Sequence, residues 1–422
     1  MTASATLSGS ASASATSTLP PASTASQTLA AADDVLLTED EIELRGRIRE
    51  FAEAELVPGA RAADQRHRLA PETLDQLRRM GLFGLAVSEE HGGGGATRVQ
   101  LSLVVEEVAR ACASAAMTVM ANAHSSGVIS RYGTDDQRRR WLPAVATGES
   151  IAAVLLTEPA VGTDVLSMTT TARRRRATAG ADDHYVLNGR KTFITNGDLA
   201  GTFVVFAKVR ESDAPDGTVA AFILAADSPG ITVAPGFDKL GLRGSSTNEV
   251  AFDDVAVPAA DCLGAEADGR RYLLEPLDGA RLSTAAQAVG IGQRALDLAR
   301  RYCLERHQSG RVIAHHQAVQ LRLADMRIEL FAARALLYSA ARAVDTGRGS
   351  MGSAAAAKVF CTRTAAEITS RAVELVGGYG YIEEYEFARL LRDAKGGEIY
   401  DGTNDVNRLL LARQLVREGT PC

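Results

Sequence analysis

The strongest constraint on this chain is that its hydrophobic period changes twice along 422 residues. Over residues 37–130 apolar side chains recur every three or four positions. Ile42, Leu44, Ile48, Phe51, Ala52 and Leu56 share one helical face. Thr38 and Glu41 have the spacing of a capping box, and Pro71 opens a further helix that Gly81 ends. From Ile151 the pattern shortens to runs rich in Val, Ile and Phe, at 151–156, 185–187, 202–209, 219–225 and 250–257. Turn signals separate them at Asn188-Gly189, Pro215-Asp216-Gly217 and Pro229-Gly230. After Pro258 long Ala-rich helical segments return, at 282–307, 317–348 and 353–376, with a shorter one at 408–417. The expected fold class is therefore α+β: an N-terminal helical domain (36–150), a central antiparallel β-barrel-like domain (151–265) and a C-terminal four-helix-bundle domain (266–422). Residues 1–35 stand apart as a Ser/Thr/Ala-rich tail. The first thirty carry no charged side chain, so neither a secretory nor a mitochondrial leader is indicated, and disorder is expected.

Composition excludes several function classes. With 46 basic against 52 acidic side chains the formal charge is −6, which argues against a nucleic-acid binder. Five scattered cysteines with no C-x-x-C spacing fit neither a disulfide framework nor a zinc cluster, and a cytoplasmic protein is expected. No stretch reaches the roughly eighteen apolar residues of a membrane span. Lysine occurs only at Lys191, Lys208, Lys239, Lys358 and Lys395; arginine supplies the rest of the positive charge.

The common catalytic motifs are missing too. Gly290-Ile291-Gly292 has no strand before it, so close helix packing is the better reading than a dinucleotide turn. Adjacent His315 and His316 would point about 100° apart on a helix, and His91 and His307 stand alone; no metal site is expected. There is neither a Walker A sequence nor a G-x-S-x-G elbow. Arginines 138–140 read as a solvated helix face and 173–176 as a polar loop in the β module. A docking patch for an acidic carrier protein or a nucleotide phosphate is the sharper alternative.

Three segments are more specific. Leu155-Leu156-Thr157-Glu158-Pro159-Ala160-Val161-Gly162-Thr163-Asp164 leaves a buried strand into a turn with two hydroxyls. Lys191-Thr192-Phe193-Ile194-Thr195-Asn196-Gly197 is the second. Arg392-Asp393-Ala394-Lys395 followed by Ile399-Tyr400-Asp401-Gly402-Thr403-Asn404-Asp405 is the third. In this order and separation they resemble the acyl-CoA dehydrogenase family. Leu277-Asp278-Gly279-Ala280-Arg281, Arg306-His307-Gln308-Ser309-Gly310, Gln317, Leu323-Ala324-Asp325-Met326 and Gly377-Gly378-Tyr379-Gly380 extend the resemblance over about 38–416.

The resemblance implies an FAD-dependent oxidoreductase, a homotetramer or homodimer, that introduces an α,β-double bond into an acyl thioester on CoA or an acyl-carrier protein. An electron-transferring flavoprotein or oxygen would accept the electrons. By the same resemblance Val154, Leu156, Thr157, Gly162 and Thr163 contact the flavin and its pyrophosphate side, with Thr163 also on the substrate side. Phe193, Ile194 and Thr195 line the flavin face away from substrate. Arg306 pairs with the pyrophosphate of a neighbouring subunit's FAD, while Gln317, Glu374, Gly377 and Gly378 reach the adenine end. Thr403 and Asp405 close the site, Gly402 meets the thioester, Asp278 lies by the acyl chain or pantetheine, and Arg281 sits near the base.

That base is Asp401, which would remove the α-proton while the β-hydrogen leaves as hydride to flavin. Four positions depart from the family pattern. Asp401 stands where glutamate is usual, an arm shorter by about 1.5 Å. Phe193 replaces a frequent tryptophan, Ser309 a phenylalanine and Glu374 a glutamine. Relatives that carry the base on another helix offer no substitute, because Gln287-Ala288-Val289-Gly290 holds no carboxylate. An aspartate base also fits an oxidase or monooxygenase of the nitroalkane- or amine-oxidising kind on the same fold. A non-catalytic flavoprotein, with Asp401 merely capping its turn, stays open as well.

Overall fold

The computed structural model describes residues 34–176, 183–215 and 217–418. The tail expected to be disordered lies outside them, apart from Asp34 and Val35 at its end. Asp34 is ion-paired with Arg45.

Helices α1 (Glu39–Phe51), α2 (Val57–Arg66) and α3 (Pro71–Arg79) lead into α4 (Arg98–Ala111), α5 (Ala113–Tyr132) and α6 (Asp135–Thr147). The Thr38–Glu41 capping box forms in both directions, and Gly81, with φ +68°, takes the left-handed turn that ends the α3 segment. A π-helical turn, Ala52–Leu56, joins α1 to α2. The hydrophobic stripe read in the sequence packs there: Ile48, Ala52 and Leu56 sit in one cluster with Leu77, Phe83 and Val108.

The central domain is a seven-stranded sheet of β1 (Ile151–Leu155), β2 (Thr171–Arg175), β3 (His184–Thr195), β4 (Ala200–Arg210), β5 (Val219–Ala225), β6 (Ile231–Val233) and β7 (Thr247–Pro258). The order is β1-β4-β2-β3-β7-β6, with β5 also on β4. It is mixed rather than purely antiparallel: β1 and β2 both run parallel to β4. Composition sets which segments become strands, whereas the connections set their direction.

Two local expectations are corrected. Asn188-Gly189 is no turn, because β3 runs through it with a register shift; a Cβ on Gly189 would stand 2.6 Å from the Thr170 hydroxyl. Arginines 173–175 lie on β2 rather than in a loop. They pair with Glu211, Asp213 and Asp183, so they are neutralised across the strand instead of forming an open anion patch.

The remainder is helical: α7 (Gly269–Leu274), α8 (Leu277–Glu305), α9 (Gln317–Asp345), α10 (Met351–Val376), α11 (Glu386–Gly397) and α12 (Asn404–Glu418), with a small hairpin of β8 (His307–Gln308) and β9 (Arg311–Val312). Ser309 and Gly310 both have positive φ, 53° and 77°, as a two-residue hairpin turn of type I′ requires. Alanines let α8 and α10 approach closely in one core with α4. At Gly290 the approach is tightest: a Cβ would lie 2.2 Å from the Glu106 carbonyl oxygen of α4, so this glycine is a packing device, as its helical setting suggested. A buried Glu106, bonded to Arg334 at 2.9 Å and Tyr338 at 2.8 Å, ties α4 to α9. Among the described residues no helix is long and apolar enough to cross a membrane.

Candidate active site

Two of the segments singled out in the sequence are joined by the sheet. The end of β1 and the turn after it carry Val154, Leu156 and Thr157, and the Thr192 N–H of β3 donates to the Thr157 carbonyl at 2.9 Å. Beneath them lies a buried ion pair. Lys191 Nζ donates to Glu158 Oε1 at 2.9 Å and to the Leu156 carbonyl at 3.0 Å. Glu158 also accepts from Thr169 N (2.6 Å), Thr169 Oγ1 (2.7 Å) and Thr170 N (2.9 Å). Burial pushes its carboxyl upward, but the hydrogen bonds from Thr170 and Thr169 outweigh it and hold the pKa at about 2. The turn is thereby fixed, with Gly162 and Thr163 exposed on its outer side.

Phe193 sits on a bulge between Lys191 and Ile194, in the left-handed region at φ +56°. A bulky residue there marks a backbone held against its preference. The distortion turns Ile194 inward, 2% exposed, and leaves the Phe193 ring 64% exposed, 5.3 Å from the ring of Phe237, itself 42% exposed. Two bare aromatic rings beside partly open Thr195 form a flat apolar face suited to a planar heterocycle.

The third segment brings Asp401 to α8. Its Oδ2 accepts the Thr284 hydroxyl at 2.6 Å. Asp401 and Gly402 both have positive φ, 53° and 82°, so the carboxylate sits on a sharp turn. The preceding Tyr400 donates to Gln287 Oε1, whose amide nitrogen donates to the Ala113 carbonyl at 2.9 Å. Gln287 is thus beside the site, and at this position α8 supplies an amide rather than an acid. Arg281 donates to Asp278 at 2.6 Å, one turn of helix before Thr284. Burial raises the Asp278 carboxyl, although Arg281 opposes that. Half-buried His124, on α5, is shifted down by burial and partly restored by the charge of Asp401. Under the turn, Lys358 of α10 donates to the Gly402 carbonyl at 2.8 Å. Thr403 Oγ1 accepts the Val406 N–H at 3.3 Å and so caps α12, and Asp405 is exposed in its first turn, paired with Arg408.

The other expected cofactor residues gather elsewhere. Arg306, Gly377 and Gly378 line a cavity of about 630 Å³ with Tyr302, Gln308 and His316. Arg306 is exposed, its guanidinium 6.0 Å from the Tyr379 ring centroid. Gln317 begins α9 next to this cavity, and Glu374, exposed near the end of α10, lies 3.7 Å from Arg322. A hollow of similar size, about 670 Å³, lies at Asp198, Asp227 and Asn248 and includes none of the expected site residues. Among the described residues no cluster of His, Cys, Asp or Glu could hold a metal ion.

Thr284, His124 and Lys358 were not singled out in the sequence. A signal that could have found Lys358 was the scarcity of its residue type: lysine stands at only five places in an arginine-rich chain.

An exposed aromatic face, a clamped turn and a carboxylate on a left-handed turn form a surface that suits a planar cofactor. Sequence comparison agrees. Profiles described as the acyl-CoA dehydrogenase N-terminal, middle and C-terminal domains match residues 38–149, 153–255 and 267–416. The chain is 38% identical over 387 residues to the short-chain-specific acyl-CoA dehydrogenase of Clostridium acetobutylicum, covering 91% of this chain and 100% of that one. Butyryl-CoA dehydrogenase from Megasphaera elsdenii superposes with a TM-score of 0.85 at 36% identity, covering 90% of this chain and 99% of that one. A prolyl acyl carrier protein oxidase, AnaB, reaches 0.83 at 26%, over 90% and 99%. The chain belongs to the acyl-CoA dehydrogenase family; it is a flavoenzyme acting on CH–CH groups, and its cofactor is FAD. The residues present fit that group: the exposed Phe193 face suits the ring, and the cavity offers Arg306, a cation with no ion pair among the described residues, for phosphate.

Proposed function

We propose that this enzyme desaturates an acyl thioester, with Asp401 removing the α-proton. The observation that carries the reading is the Thr284–Asp401 hydrogen bond. It occupies Oδ2 and orients the carboxylate, leaving Oδ1 without a protein donor among the described residues. The carboxylate is held on a turn whose Gly402 N–H has no protein acceptor there, so that N–H can meet the thioester oxygen as negative charge develops. Gly402 thus acts on the carbonyl and Asp401 on the adjacent carbon. When bound, FAD supplies the hydride acceptor. Phe193 and Thr195 back the ring, with Ile194, whose side chain is turned into the core, contributing only backbone; the clamped 156–163 turn orients it, and Arg306, Gln317, Glu374, Gly377 and Gly378 take the adenosine diphosphate part. That second group lies on a different part of the chain from the ring face. By the family resemblance Arg306 would meet a neighbouring subunit's FAD, so the assembly we propose is a homodimer or homotetramer.

The substrate carrier is CoA, in line with the named acyl-CoA relatives. The likeness to a carrier-protein oxidase supports a second reading, an acyl-carrier substrate with oxygen as acceptor. Anaerobic bleaching of the flavin across a panel of straight and branched acyl-CoA and acyl-carrier thioesters tests both. Bleaching by an acyl-CoA, with electrons passing to a dye and not to oxygen, is expected. Peroxide release in air with a carrier-bound substrate would replace the first reading by the second. No bleaching by any thioester would overturn both.

A further inference from the structure

The turn that carries Asp401 is gripped from beneath by a lysine. Lys358 is fully buried in α10, and its Nζ donates to the Gly402 carbonyl at 2.8 Å and to Asn404 Oδ1 at 3.0 Å. Asn404 Nδ2 in turn donates to Thr362 Oγ1 at 3.1 Å, one helical turn along α10. Asn407 Nδ2 gives the Gly402 carbonyl a second donor at 2.8 Å. A single carbonyl thus takes two donors, one of them an ammonium group, at the Gly402–Thr403 peptide, one residue beyond Asp401.

Asp401 has a Cβ, and a left-handed backbone at such a residue persists only where its surroundings over-determine it. The lysine grip is that surrounding. It also bears on the missing methylene. With an aspartate arm the reach must come from the backbone, and a misplacement near 1 Å can cost on the order of a hundredfold in rate. The charged groups facing Lys358 are Asp401 and Glu398, which favour its ammonium form, and Arg281, which opposes it; burial, the largest cause, acts with Arg281, outweighs the two acids and brings its pKa to about 8.

We propose that Lys358 is a positioning residue for the proton-abstracting carboxylate: by fixing the Gly402 carbonyl and Asn404, its buried ammonium group holds Asp401 in the left-handed turn that carries the short aspartate arm to the substrate α-carbon. This rests on Asp401 being the base. A charge-assisted hydrogen bond is about twice as strong as a neutral one, so loss of the Lys358 proton loosens the grip without removing it.

The test is anaerobic stopped-flow reduction of the FAD-loaded enzyme by butyryl-CoA, or by the panel member that bleaches fastest. It runs from about pH 6 to about pH 10 on wild type, Lys358→Arg, Lys358→Met and Asp401→Asn. Wild type should lose reduction rate with a midpoint of about 8. Lys358→Arg, charged throughout, should lack that alkaline fall. Lys358→Met should be about a hundredfold slower at neutral pH, with butyryl-CoA affinity and FAD content unchanged. An alkaline fall that persists in Lys358→Arg, or a wild-type rate in Lys358→Met, overturns the proposal. If Lys358→Met fails to bind FAD, the Lys358→Arg profile decides. Reduction retained by Asp401→Asn would instead overturn the base itself.

Discussion

Replacing Lys191 by methionine should destabilise the enzyme by about 3–5 kcal/mol, the usual cost of removing one partner from a buried ion pair. Lys191 and Glu158 have side-chain exposures of 0% and 2%, and their charged atoms are 2.9 Å apart. After the substitution the Glu158 carboxylate would keep its donors at Thr169 and Thr170 but stay buried without its cation. The Leu156 carbonyl would also lose its 3.0 Å donor, and an unsatisfied buried acceptor costs about 1–3 kcal/mol. Glu158→Gln keeps the shape but leaves the Lys191 ammonium buried without its counter-ion, and should also cost about 3–5 kcal/mol. The double variant Lys191→Met with Glu158→Gln leaves no unpaired charge, so its loss should fall short of the sum of the singles. Urea unfolding at saturating FAD, followed by far-UV circular dichroism and flavin fluorescence, closes the double-mutant cycle. A Lys191→Met loss below about 1 kcal/mol, the range of an exposed pair, or strict additivity of the two singles, would refute the reasoning. The acid limb gives an independent check. Glu158 is depressed from 4.5 to about 2, so its contribution is complete above 4.5 and disappears as the pH falls through about 2. Glu158→Gln should flatten that part of the stability profile.

Arg306→Ala should weaken FAD retention by roughly ten- to a hundredfold, the worth of a lost charged hydrogen bond, and reduce the oligomer fraction on size exclusion. Arg306 is exposed and approaches the Tyr379 ring at 6.0 Å, so folding should be little changed, and unaltered FAD retention would remove its assigned role. Gly290→Ala should cost about 3 kcal/mol or more, because its Cβ would stand 2.2 Å from a backbone oxygen of α4 that cannot yield without moving the helix. Thermal melts of the two proteins decide that, and equal melting temperatures would contradict the packing argument.

The parts of the fold that were legible in the sequence are those set by local chemistry. The Thr38–Glu41 box, the Gly81 stop and the two period changes depend on residues a few positions apart, and all appear where expected. Asn188-Gly189 misled because a turn-prone pair can also serve as a strand bulge when a neighbouring side chain, here Thr170, crowds the backbone. The parallel pairing of β1 and β2 with β4 was invisible for a related reason: alternation of side chains says nothing about direction. At the site, Asp401 and Phe193 were found through motif order, but their positive φ angles were not, since neither is glycine. The partners of Asp401 lie far away in sequence. Thr284 is 117 positions off, and Lys358 grips the following carbonyl from 44 positions before it, so only the packed α8–α10 bundle brings them together.

The measurement that bears most directly on the central claim is anaerobic flavin reduction in Asp401→Asn. The asparagine keeps the volume and can still accept from Thr284, so the turn should be preserved and FAD should stay bound. With no carboxylate to take the α-proton, the fastest acyl thioester should bind yet leave the flavin oxidised over the time in which wild type bleaches completely. Bleaching of this variant at the wild-type rate would show that the proton leaves by another group, and the assignment of Asp401 would fall.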